Sequence, residues 1–284
     1  ERVLFYGVRH VELVLMYLSV RVPWGEIRGQ VWGPDHGRPV LCLHGWADNC
    51  GTFKTLIPLL PKECRYVAVD LAGHGLSSHR PPGVFYSFPA YVADVRRVVD
   101  ALQLEKFSII GHSMETVVFL YVVSSCGPIC VFPQFTALYP EMVDALILLD
   151  TFGFVPTDSV RTMQGMEEMF QFENKKEKKT RVYSYEKAVE RLLAANPTLS
   201  EESVHILLER GIVQVDGGTF FSLLLHSQRN NLSLPSAESF QHTVVKVPGG
   251  HHVHLNKPEV VAPFVSNFLR TKALAWSRSR VHKL

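Results

Sequence analysis

Four short apolar runs constrain this chain more than any other feature: Val40-Leu41-Cys42-Leu43, Tyr66-Val67-Ala68-Val69, Phe107-Ser108-Ile109-Ile110 and Ala145-Leu146-Ile147-Leu148-Leu149. Each has the length of a strand and is too short for an ordinary helix, and the lack of polar alternation means that both faces are covered. Helical spacing lies between them. After Ser87 and Pro89, which read as a capped start, Val92, Val95, Val98, Val99 and Leu102 fall on one face of a crossover helix. Buried strands alternating with helices predict an α/β fold with a mostly parallel, doubly wound sheet.

Other segments fill in the organisation. Residues 18–22 and 30–32 flank Pro23-Trp24-Gly25 and predict an antiparallel hairpin ahead of the parallel strands. Residues 243–247 predict a late strand, and Asn256, Pro258 and Glu259 open a last helix with Val260, Val261, Phe264, Val265, Phe268 and Leu269 as its apolar residues. From 152 to about 221 the strand signal gives way to a helical pattern, followed at 175–181 by a charge run that reads as a solvated face. The predicted division is a core of residues 18–151 and 241–272, a helical cap at 152–225, and poorly defined tails at 1–17 and 273–284.

Bulk composition excludes several classes of function. A net charge of +2 spread over 284 residues gives no basic surface for a nucleic acid, so no nucleic-acid partner is predicted. The apolar stretch 11–20 is short and crowded by Arg9, His10, Glu12 and Arg21, which fits neither a membrane span nor a signal peptide. Five scattered cysteines without a C-x-x-C pair point to a reducing compartment.

Chemistry enters at Gly111-His112-Ser113-Met114-Glu115, directly after the third apolar run. A serine on a strand-to-helix corner is a nucleophile elbow, G-x-S-x-G, in which small neighbours let the turn close. Serine is a poor nucleophile at neutral pH unless a base takes its proton, a third group orients that base, and donors face the developing oxyanion. His251, after Pro248-Gly249-Gly250, is the predicted base. Its neighbours His252 and His254 make an H-H-x-H cluster, but no carboxylate or further histidine of a hydrolytic metal motif follows, so neither metal nor cofactor is predicted. The backbone N–H groups of Trp46, in His44-Gly45-Trp46, and of Met114 are the predicted oxyanion donors. Asp150, ending the fourth run, is the predicted acid, with a purely structural aspartate as the open alternative and Asp216 and Glu238 as weaker candidates. Asp70 reads as structural, holding loop amides near the oxyanion segment.

His44-Gly45-Trp46, Asp70-Leu71-Ala72-Gly73-His74-Gly75, Gly111-His112-Ser113 and Gly249-Gly250-His251, in that order, resemble the α/β-hydrolase superfamily. Val22-Pro23-Trp24-Gly25, Trp46-Ala47-Asp48-Asn49 and Leu146-Ile147-Leu148-Leu149-Asp150-Thr151 further resemble the animal serine hydrolase-like proteins. The resemblance implies an α/β-hydrolase fold, a carboxylesterase-like serine hydrolase of the cytoplasm or peroxisome, Ser113 as nucleophile, and a small ester or amide substrate. Three departures stand against it. Glu115 replaces the second elbow glycine, residues 122–135 read as an insertion behind the elbow, and the stretch 220–241 is too short for the penultimate core strand. They support the alternative of a catalytically impaired hydrolase-fold protein, or an aberrant gene product, that acts by binding.

Overall fold

The four apolar runs become the centre of one sheet in the computed structural model, which describes residues 3–9, 14–84, 86, 88–113, 134–150, 182–216, 218–221 and 243–274. Strands β1 (Val3–Arg9), β2 (Val14–Val22), β3 (Gly25–Trp32), β4 (Arg38–Leu43), β5 (Cys64–Val69), β6 (Phe107–His112) and β7 (Val143–Leu149) lie in the order β1-β2-β3-β5-β4-β6-β7. β4 pairs in parallel with β5 and β6, and β6 with β7. β1, β2 and β3 extend the far side as antiparallel strands.

Burial explains why the central strands read as continuous apolar runs. Leu41 and Leu43 of β4 share a core with Tyr91, Val95 and Val99 of helix α1 (Phe88–Ala101) and with Phe135 of the short helix α2 (Gln134–Leu138). Val40 and Cys42, pointing the other way, pack with Phe53, Leu56 and Ile57 and with Val261 and Val265 from near the C-terminus. Every residue of such a strand therefore has an apolar neighbour.

Three expectations are corrected here. Residues 1–17 were expected to be a poorly defined tail, yet β1 pairs with β2 from Val3↔Val20 to Arg9↔Val14. An outer strand is specified by its partner more than by its own pattern. Residues 243–247 form no strand: Val244 is 74% exposed, and among the described residues β7 ends the sheet, so no neighbour is there to pair with. Third, Phe264 is 49% exposed, because the buried stripe of the last helix is formed by Val261, Ala262, Val265, Ser266 and Leu269 and leaves it on the other face. The segments 114–133, 151–181 and 222–242, which hold Met114, Glu115, most of the insertion, the charge run, Glu238 and the place of the penultimate strand, lie outside the described residues.

Helix α3 (Tyr185–Ala195) and helix α4 (Glu201–Gly211) are capped by Ser184 and Ser200, each accepting from the backbone N–H three residues on. A hairpin of β8 (Ile212–Val215) and β9 (Gly218–Phe221) follows, where only helical pattern was expected; the Asp216-Gly217 dipeptide between the strands was its sequence signal. Among the described residues no helix is long and apolar enough to cross a membrane.

One buried ion pair ties α4 to the sheet. Arg210 donates from Nη2 and Nε to Asp70 Oδ2 at 2.6 and 3.0 Å, with Arg210 at 4% and Asp70 at 0% exposure. Asp70 also accepts from the Cys50 and Leu76 backbone N–H groups at 2.8 and 2.9 Å, so it does hold loop amides, as its sequence context suggested. Burial alone would raise its pKa; the Arg210 charge and these donors outweigh that and hold the carboxyl below its usual range. Arg210→Ala strands this carboxylate and is expected to cost about 3–5 kcal/mol, read as a lower midpoint in urea unfolding.

Candidate active site

The chain leaves β4 for β5 on one side and returns to β6 on the other. Ligands of open α/β sheets sit at such a reversal, in the crevice beyond the carboxyl ends of the strands. The segments leaving β4, β6 and β7 at that rim are His44-Gly45-Trp46, Ser113 and Asp150.

Ser113 sits in the left-handed region at φ +55°, an uncommon conformation for a residue with a side chain, and its N–H donates to the Leu149 carbonyl at 3.0 Å. Next along the neighbouring strand, Asp150 is also left-handed, at φ +44°. Paired turns thus lift both side chains out of the sheet.

His251 reaches the same rim on a loop shaped by two glycines. A Cβ on Gly249 would lie 2.4 Å from Val253 Cγ2, and one on Gly250 would lie 2.7 Å from Thr198 Cβ, so the loop fits against Val253 and the α3–α4 turn only without side chains there. His251 Nδ1 lies 2.6 Å from Asp150 Oδ2, and His112 Nε2 donates to the His251 carbonyl at 3.0 Å. A carboxylate only accepts, so His251 Nδ1 carries the proton and Nε2 is left with its lone pair. The two side chains are 40% and 43% exposed.

The turn after β4 approaches Ser113 closely. A Cβ on Gly45 would fall 3.0 Å from Ser113 Cβ and 3.3 Å from His112 Nδ1. His44 is fixed at both nitrogens: Nδ1 donates to the Gly45 carbonyl at 2.8 Å and Nε2 accepts from the Leu71 N–H at 2.9 Å. The Trp46 ring stands edge-on to His74, centroids 5.2 Å apart. Gly45→Ala is expected to displace Ser113 by a few tenths of an ångström or more and to slow its reaction with an active-site probe by about 10–100-fold, measured against a matched melting curve.

Of the site residues read from the sequence, Ser113, Asp150, His251 and Trp46 come to one rim, and Met114 lies outside the described residues. Asp216 is at the β8–β9 turn, with no described contact to His251. Sequence reasoning missed Asp48, which stands with His112 and His252, the residues beside Ser113 and His251 in the chain. Its only signal was position, five residues past β4 in Trp46-Ala47-Asp48-Asn49.

The fold is that of a hydrolase class, and the chain belongs to the α/β-hydrolase fold family, which matches residues 38–184. Within that class it groups with the serine hydrolase-like proteins. It is 46% identical to the serine hydrolase-like protein of Danio rerio over 95% of this chain and 94% of that one. To serine hydrolase-like protein 2 of Homo sapiens it is 37% identical, over 89% of this chain and 93% of the relative. A solved hypothetical protein of Pseudomonas aeruginosa superposes with a TM-score of 0.72 at 28% identity, covering 90% of this chain and 98% of that chain. The Danio rerio alignment spans 320 positions, more than the 284 residues here, so that relative has internal stretches without a counterpart in this chain.

Proposed function

We propose that the chain is a serine hydrolase that cleaves an ester or amide through an acyl-enzyme. The observation that carries this reading is the 2.6 Å contact of His251 Nδ1 with Asp150 Oδ2 at the strand ends where Ser113 occupies its left-handed turn. Ser113 Oγ attacks the substrate carbonyl carbon as its proton passes to His251 Nε2. His251 then returns the proton to the departing alcohol or amine, and water releases the acid by the same route. Asp150 holds the imidazole in the required tautomer and stabilises its charged form. Trp46 N–H and Met114 N–H are assigned to the oxyanion. No cofactor enters these steps, and a small molecule is the proposed partner.

A second reading is a hydrolase-fold protein that binds without turnover. The exposure of His251 and Asp150 favours it, because water screens a pair that in an efficient site would be enclosed. A fluorophosphonate probe separates the two. Labelling of the folded chain that disappears in Ser113→Ala is the expected result; no labelling of a folded sample would leave binding as the reading.

A further inference from the structure

Beneath the elbow lies a buried cluster that the proposed reaction does not use. His112 is 1% exposed, Asp48 5% and His252 7%. His112 Nδ1 stands 3.6 Å and His252 Nε2 3.7 Å from the same oxygen, Asp48 Oδ2, and the three residues offer one ligand atom each within 4.8 Å of one another. These separations are too long for hydrogen bonds. They are close to the spacing of two ligand atoms on one tetrahedral zinc ion, about 3.4 Å for bonds of about 2.0–2.1 Å.

The atoms around the gap explain why a cation fits. His112 Nε2 must carry its proton, since it donates to the His251 carbonyl, and this leaves a lone pair on Nδ1 facing the Asp48 carboxylate. Neither Asp48 Oδ2 nor His112 Nδ1 has a hydrogen-bond partner, and both are buried. Two acceptors turned towards each other in a dry space repel unless something positive lies between them. The outer contacts have the arrangement of a metal site: Asp48 Oδ1 accepts from the Asn49 N–H at 2.8 Å, and His112 is oriented by a carbonyl. His252 Nδ1 has no partner.

We infer that Asp48 Oδ2, His112 Nδ1 and His252 Nε2 form a binding site for a divalent transition-metal ion, zinc before others given two imidazoles and one carboxylate. One ligand immediately precedes Ser113 and another immediately follows His251. A bound ion would therefore fasten the nucleophile turn to the base loop, a positioning role that holds whether or not Ser113 turns over a substrate.

The test reads metal rather than activity. Full-length chain is stripped with a chelator and dialysed, then titrated with Zn2+ while bound metal and thermal midpoint are recorded. One equivalent bound, with a rise in the midpoint, is expected for wild type and for the exposed-surface control His36→Gln. Asp48→Asn and His252→Gln are each expected to weaken binding by about 100-fold or more and to abolish the rise. No uptake by wild type, or uptake unchanged in both site variants, overturns the inference; the first outcome leaves a proton between His112 and Asp48 in the ion's place. Should the variants not fold, X-ray absorption on zinc-loaded wild type decides: two imidazoles in the first shell are expected, and fewer than two overturn the site.

Discussion

Asp150→Asn is expected to slow acylation of Ser113 by roughly 10³-fold, measured as the single-turnover rate with a fluorophosphonate or an activated ester. Removing the charge of a triad acid can cost about 10⁴-fold, because the imidazole loses both its tautomer and the partner of its charged form. The loss here is expected to fall below that figure, since Asp150 is 43% exposed and water takes over part of its work. Asparagine is a fair probe of charge. Asp150 sits at φ +44°, a region that asparagine tolerates as well as aspartate, so the backbone turn survives the exchange. Stability supplies the control: an exposed side chain that only ends a strand would, on removal, shift unfolding by no more than about 0.5 kcal/mol and leave the rate within tenfold. A near-normal rate with unchanged stability would return Asp150 to a structural role and send the search for an acid to Glu238.

That prediction was legible from the sequence, and the reason is physical. Parallel strands covered on both faces must be apolar throughout, so β4, β5, β6 and β7 appeared as unbroken runs whose ends located His44, Asp70, Ser113 and Asp150 without any knowledge of pairing. Gly249 and Gly250 likewise marked the loop of His251, because two side chains there would collide with Val253 and Thr198. What stayed hidden was set by partners distant in the chain. β1 is a strand because β2 lies beside it, and residues 243–247 are not one because among the described residues no strand does. The carboxylate that faces the H-H-x-H cluster, Asp48, comes from the loop after β4, far away along the chain, so no local spacing announces it. Arg210 and Asp70 are separated by 140 residues, and no local pattern announces such a pair.

Acid is expected to unfold the chain through two buried histidines in the turns after β4 and β5. His44 and His74 are 0% and 1% exposed, their rings 5.1 Å apart. Burial, the largest influence, lowers both pKa values, His74 to about 3; the His44 charge lowers His74 further and His112 lowers His44, while Asp48 and Asp70 raise both in part. Hydrogen bonding explains why His44 in particular stays neutral: its Nε2 already accepts from the Leu71 N–H, so a proton there would break the bond that anchors the turn after β5. The sign follows from proton counts. Between the unfolded value near 6.5 and the lowered folded values, the unfolded chain binds more protons, so stability falls as pH falls through that window and is unaffected by these groups above about pH 7. Each histidine contributes a slope of up to about 1.4 kcal/mol per pH unit. Urea midpoints measured from pH 7.5 to 4.5 should therefore decline, and His74→Phe, which keeps a ring beside Trp46 and Tyr91, should remove roughly half of the slope attributed to the pair. An unaltered slope in that variant would mean that carboxylates, not these imidazoles, set the acid limit. A reduced slope would tie the loss of the fold in acid to the segment that carries Trp46, so that the turn proposed to bind the oxyanion and the core fail together.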